Sequence, residues 1–214
     1  MNPFHERLAR TGLAAARQFG FALAGGYAVQ EAGLFERPSE DVDLFTAWNR
    51  RDEFSKAVAA VVQAYLADGL TVEVERQYDT FAALTVTGEG QTSKVELAVD
   101  WRANEPILMS VGPVLHPDDA VANKMSALYG RALARDFIDI DATLRSGRYT
   151  REAVLLLAER ADSGFERRIF ADALKQVEVL DADDFAQYGV VGPALDDIRS
   201  RFLDWRRELL EKLY

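Results

Sequence analysis

The sequence predicts an α+β front half followed by a helical back half, on three observations. Strand-like and helix-like segments alternate as far as Pro106, glycine and proline punctuate them, and beyond Pro117 nearly every segment has a helical period. The expected boundary lies near residue 114, which divides the chain into a unit of residues 1–113 and a unit of residues 114–214. A length of 214 residues suffices for one large domain or for two small ones that share an interface.

Each element follows from local pattern. Residues 5–18 set Leu8, Leu13, Ala15 and Ala16 among charges, predicting an amphipathic helix that Gly20 stops. Residues 21–24 read as a short buried strand ended by Gly25-Gly26, and a second helix follows over 27–34. Arg37-Pro38-Ser39-Glu40 is a turn. In residues 41–46, Val42 and Leu44 point one way while Asp41 and Asp43 point the other. Residues 52–67 form an amphipathic helix closed by Asp68-Gly69. Three strand-like segments follow, 70–77, 81–87 and 94–101, and Gly88 and Gly90 between the last two favour an antiparallel hairpin. Helical periods then run over 118–130, 133–145, 151–161, 165–177 and 193–213.

Composition narrows the chemistry. Hydrophobic residues make up 49% of the chain and are spread along it, which predicts a packed core. The longest apolar runs are too short to span a bilayer, and the first ten residues hold no apolar stretch of a secretory signal, so no membrane role is expected. The chain has no cysteine, which excludes disulfides, thiolate zinc sites and a cysteine nucleophile and accords with a cytoplasmic protein. A net charge of −10 argues against diffuse coating of nucleic acid. With only His5 and His116 available, carboxylates, lysine and arginine must carry any catalysis, and such groups suit a hard cation such as magnesium.

Two constellations stand out. Gly25-Gly26 ends a strand and opens a helix, where backbone N–H groups and the helix dipole can meet a phosphate, although a plain turn has the same appearance. Asp41 and Asp43 lie on one face of a strand, where like charges repel unless a cation sits between them or one takes a proton. Magnesium held by one or two carboxylates and triphosphate oxygens resolves that conflict; an exposed edge strand with solvated acids is the alternative. On residues 94–101, Glu96, Ala98 and Asp100 share a face, and Glu96 is the central candidate for a third acid, against a solvent-facing acid on a hairpin.

The arrangement Gly25-Gly26-Tyr27 followed by Arg37-Pro38-Ser39-Glu40-Asp41-Val42-Asp43-Leu44-Phe45 resembles the polymerase-beta-like nucleotidyltransferase superfamily. The segment from His116-Pro117-Asp118-Asp119 through Lys124 and Leu128, with Arg131 and Arg135-Asp136-Phe137-Ile138-Asp139-Ile140, is similar to its AbiEii branch, toxins of type IV toxin–antitoxin pairs. The resemblance covers roughly residues 20–145 and leaves the last third without a placed motif. It implies a nucleotidyltransferase-like mixed sheet with flanking helices, followed by a C-terminal helical bundle that completes the active-site cleft. It implies that Gly25, Gly26 and Ser39 bind the nucleoside triphosphate, that Asp41, Asp43 and Glu96 hold magnesium, and that Lys124 contacts the phosphates. Asp139 is implied as a further catalytic acid from the helical side. One departure is that many members carry serine where this chain has Gly26, so that hydroxyl is lost.

The implied reaction is attack of an acceptor hydroxyl on the α-phosphorus of a nucleoside triphosphate, with release of pyrophosphate. The implied acceptor is the 3′ end of tRNA, with a cognate antitoxin protein as partner. Arg131, Arg135, Arg145, Arg148, Arg151, Arg167, Arg168, Arg199, Arg201, Arg206 and Arg207 could line a local basic groove for it, or could simply pair with the many acids. Asp136 reads more readily as a brace for Arg131 or Arg135 than as a catalytic group. A small-molecule (antibiotic) nucleotidyltransferase and a non-catalytic nucleotide-binding module are the competing classes; the second fits poorly with both aspartates present.

Overall fold

The computed structural model describes residues 1–34 and 39–212; Arg37 and Pro38 of the expected turn, and Leu213 of the expected last helix, lie outside the described residues. Helix α1 (Pro3–Ala15) starts earlier than its apolar pattern suggests, because Asn2 caps it. Asn2 Oδ1 accepts from the His5 N–H at 2.7 Å, and Pro3 occupies the first turn. A 3₁₀ turn (Arg17–Phe19) ends at Gly20, which adopts φ 70°. Strand β1 (Ala22–Leu23) is followed by helix α2 (Gly25–Glu31), which begins on the glycines themselves rather than after them. Then come β2 (Asp41–Ala47), a 3₁₀ turn (Trp48–Glu53), α3 (Phe54–Ala67), β3 (Thr71–Gln77), β4 (Phe81–Gly88) and β5 (Gln91–Asp100).

A hairpin of β6 (Ile107–Met109) and β7 (Gly112–Val114) is absent from the sequence reading. Strands of three residues are too short for a period-two pattern to show. The helices that follow are α4 (Pro117–Gly130), α5 (Ala134–Arg145), α6 (Arg151–Ala161), α7 (Arg167–Leu174), α8 (Ala182–Ala186) and α9 (Pro193–Lys212). The single helix expected over 165–177 is instead α7 running into a 3₁₀ turn, Lys175–Glu178, and the short α8 was not expected.

Among the described residues the sheet has seven strands in the order β3-β4-β5-β2-β1-β7-β6. It is mixed: β2 pairs parallel with β5 and β1 parallel with β7, while β1–β2, β3–β4, β4–β5 and β6–β7 are antiparallel. The expected β4–β5 hairpin forms, turning through Glu89 and Gly90 at φ 55° and 72°. Two consecutive positive φ values suit the right-handed strand twist.

The chain divides into two compact units, Met1–Ala120 and Val121–Tyr214. In the first, Val42, Leu44, Val95 and Leu97 are fully buried on one face of the sheet. Burial of each such side chain contributes about 1.5–3 kcal/mol. Helix α1 lies close on this face because Gly12 has no side chain; a Cβ there would meet Leu44 Cδ1 at 2.6 Å and the Tyr65 hydroxyl at 2.7 Å. Tyr65, itself fully buried, donates that hydroxyl to the Leu8 carbonyl at 2.9 Å, which removes the cost of an unpaired polar group. The second unit closes around aromatic rings: Phe137 meets Phe202 at 4.9 Å and Phe170 meets Trp205 at 5.2 Å, both edge-on. No helix of the described residues is long and apolar enough to cross a membrane.

Candidate active site

The alternation of β2 turns Val42 and Leu44 into the core and leaves Asp41 and Asp43 on the opposite face, part-exposed. Parallel pairing with β5 sets Asp41 beside Lys94 and Asp43 beside Glu96. Residues in register across a parallel pair project to the same side, so Asp41, Asp43, Lys94 and Glu96 share one face. Among the described residues, however, no three acidic or histidine side chains close on a single point. Glu96 is aligned with Asp43 without completing a three-carboxylate cluster.

The glycine pair meets this strand at close quarters. Gly25 sits at φ 57°, and a Cβ added there would lie 1.6 Å from Asp43 Oδ2. The Asp43 carboxylate therefore occupies the space that a side chain at position 25 would fill. Gly26 stands in the same relation to Ser39, whose Oγ lies 2.6 Å from where a Cβ would be. A hydroxyl is thus supplied beside Gly26 by Ser39, from a different segment. Ser39 is 8% exposed, and its Oγ donates to Asp41 Oδ1 at 3.1 Å. Two carboxylates, a hydroxyl and side-chain-free backbone form an all-oxygen donor set of the kind a hard cation accepts. Magnesium needs only one or two protein carboxylates when phosphate and water oxygens fill its remaining positions, so these residues fit it.

Behind the strand lies a buried polar chain that sequence reasoning missed. His5 Nδ1 is 2.6 Å from the Tyr27 hydroxyl, and His5 Nε2 is 2.9 Å from Ser93 Oγ. Tyr27 also reaches the Ser39 carbonyl at 3.4 Å. A neutral imidazole suits this position, donating through one nitrogen and accepting through the other. Burial above all pulls the His5 pKa below its ordinary value, with nearby Asp41 working in the opposite direction. Burial likewise pushes the Tyr27 hydroxyl up. No local signal marked either end of this chain, since His5 is followed by Glu6 and Arg7 and Ser93 lies between Thr92 and Lys94.

In the second unit Lys124 Nζ lies 2.8 Å from Asp139 Oδ2. The Asp139 side chain is 0% exposed and that of Lys124 only 12%, so Asp139 is held as the buried counterion of Lys124. Lys124 on α4 neutralises it, which periodicity within α5 cannot reveal. Asp136 is the brace expected of it: Arg131 grips it with two hydrogen bonds of 2.9 and 2.8 Å, and the Leu133 N–H adds a third at 3.1 Å. Many arginines proposed for a basic groove are matched by acids. Arg145 and Arg201 meet Asp141, Arg151 meets Glu208, Arg167 meets Glu152 and Glu159, and Arg207 meets Asp204.

Comparison with known proteins accords with this arrangement. The family described as nucleotidyl transferase AbiEii toxin, type IV TA system, matches residues 13–189. No sequence among curated proteins matches the chain. Among solved structures, a Helicobacter pylori protein with a provisional nucleotidyltransferase assignment superposes with a TM-score of 0.55 at 17% identity, covering 99% of this chain and 96% of its own. JHP933 from Helicobacter pylori superposes at 0.52 with 18% identity, covering 98% of this chain and 92% of its own. MenT4, a nucleotidyltransferase toxin from Mycobacterium tuberculosis, superposes at 0.54 with 18% identity, covering 94% of this chain and 82% of its own. At such identities the likeness is one of fold. The family match spans most of the chain, and the glycine pair and the aspartate strand stand together as that chemistry requires: the chain belongs to the AbiEii nucleotidyltransferase toxin family of type IV toxin–antitoxin systems.

Proposed function

We propose that this nucleotidyltransferase transfers a nucleoside monophosphate from a nucleoside triphosphate to the 3′-terminal hydroxyl of tRNA, as the toxin of a pair with a cognate antitoxin. The observation that carries the reading is the contact of Gly25 with Asp43, which packs a carboxylate of the aspartate strand directly against the bare backbone of the glycine pair. Gly25, Gly26 and Ser39 bind the triphosphate. Asp41 and Asp43 hold magnesium, with Glu96 the acid nearest them in register. Bound magnesium neutralises charge on the phosphate oxygens.

The acceptor oxygen forms its bond to the α-phosphorus, the bond from that phosphorus to the bridging oxygen breaks, and pyrophosphate departs. Glu96, on the same face as Asp43, accepts the proton of the attacking hydroxyl. Lys124 binds nucleotide phosphates, and Asp139 fixes its ammonium group. Ser39 orients Asp41 through its hydrogen bond.

The test incubates purified protein and magnesium with each α-labelled nucleoside triphosphate, and with either total tRNA or a panel of antibiotics. Label on tRNA, lost on chelation and in Asp43→Asn, is expected. Label on a drug, transfer to neither acceptor, or undiminished transfer by Asp43→Asn overturns the proposal.

A further inference from the structure

The first unit contains a cleft that the carboxylate site does not use. Strand β2 is followed directly by Trp48-Asn49-Arg50 and β5 by Trp101-Arg102. The parallel register continues to the last pair, Ala47 beside Asp100, so the two tryptophan-bearing turns emerge side by side. Together with Arg17, they line a cleft of about 760 Å³. That volume falls within the range of roughly 300–1,000 Å³ of small-molecule sites.

Three features of this cleft point to its occupant. Both indoles are open to solvent, Trp48 at 56% and Trp101 at 38%. The Trp48 ring is steadied by Arg51, whose guanidinium carbon lies 5.3 Å from the ring centroid. In a chain of net charge −10, the lining carries Arg17, Arg50 and Arg102 against Glu105 alone. Arg50 is bridged to Glu53 at 3.1 Å, and Arg102 Nη2 donates to the Phe45 carbonyl at 2.8 Å while its Nε is buried without a hydrogen-bond partner.

The wall is also built firmly. Asp119, 2% exposed, accepts from the backbone N–H groups of Ala103 and Asn104 at 3.0 Å each and from Asn104 Nδ2 at 3.3 Å. Exposed aromatic rings interleaved with arginines are the chemistry that holds single-stranded nucleic acid, by stacking bases and contacting phosphates. Ala47 lies on the same face of β2 as Asp43, four residues on, or about 13 Å at the usual strand rise.

We infer that the cleft between Trp48 and Trp101 is the docking site for the single-stranded end of the acceptor RNA, stacking its bases on the indoles and meeting its phosphates with Arg17, Arg50 and Arg102. The inference rests on the RNA-acceptor reading for its biological meaning, but its binding claim can be measured separately. Full-length protein, without nucleotide or metal, is titrated into a 5′-fluorescein-labelled ten-nucleotide single-stranded RNA and followed by anisotropy over a range of salt.

Trp48→Ala should bind about tenfold more weakly, and Trp48→Phe, which retains an aromatic face, should recover most of that loss. Arg17→Ala combined with Arg50→Ala should flatten the salt dependence by about 1.4 in the log–log slope. In transfer assays the KM for RNA should rise in these variants while the KM for the nucleoside triphosphate stays unchanged. Wild-type protein that fails to bind the oligonucleotide, or Trp48→Ala binding as tightly as wild type, overturns the inference. Weakened binding by the variants, together with no transfer to RNA by wild type, supports the cleft and overturns the acceptor reading instead.

Discussion

Gly25→Ala isolates the contact on which the active-site reading turns. Two costs follow from the structure. The backbone at φ 57° is left-handed, which a residue with a Cβ adopts at a penalty of about 1–2 kcal/mol. The new Cβ also stands 1.6 Å from Asp43 Oδ2, so the carboxylate must retreat by about 1.4 Å to reach the 3.0 Å that real Cβ contacts respect. Misplacement of a catalytic group by about 1 Å can cost on the order of 100-fold in rate.

Gly25→Ala should therefore lose about 100-fold in transfer while unfolding only a few degrees earlier. Gly69→Ala is the control, since its φ of 78° imposes a similar backbone strain with nothing within 4 Å of the added Cβ. It should lose similar stability and retain transfer. The measurements are initial rates of label incorporation and thermal unfolding by circular dichroism on all three proteins. Near-wild-type transfer by Gly25→Ala, or an equal loss of transfer by Gly69→Ala, would refute the claim that position 25 acts by placing Asp43.

Other expectations concern groups whose burial decides their behaviour. Lys124→Met removes the ammonium group that lies 2.8 Å from the buried Asp139 carboxylate, which should cost about 3–5 kcal/mol in chemical denaturation, and adding Asp139→Asn should return most of it. Unchanged midpoints in Lys124→Met would show that the pair is not desolvated in solution. His5 has a folded-state pKa depressed by burial below the usual value near 6.5. The unfolded chain thus takes up a proton that the folded chain resists, so the contribution of His5 is full above about pH 6.5 and is lost as pH falls below it. Denaturation midpoints measured downward from pH 7 should fall less steeply in His5→Gln than in wild type; parallel curves would exclude the buried neutral imidazole.

The sequence by itself determined whatever depends on neighbours a few residues away. The Asp41-Val42-Asp43-Leu44 alternation, the turn at Glu89-Gly90 and the apolar stripe of α5 are set by strand and helix periods, and these are local. The family pattern was legible for the same reason, since its glycines and acids are written in short runs. Only the tertiary structure decided which distant groups meet. Gly12 admits Leu44 and Tyr65, Ser39 fills the space beside Gly26, and Lys124 neutralises Asp139 across two helices. The parallel register of β2 and β5 likewise brings Trp48 and Trp101 together from segments more than fifty residues apart. No local period encodes such pairings, because they are fixed by the packing of one element on another, where shape and charge compensation choose among the partners that the chain makes available.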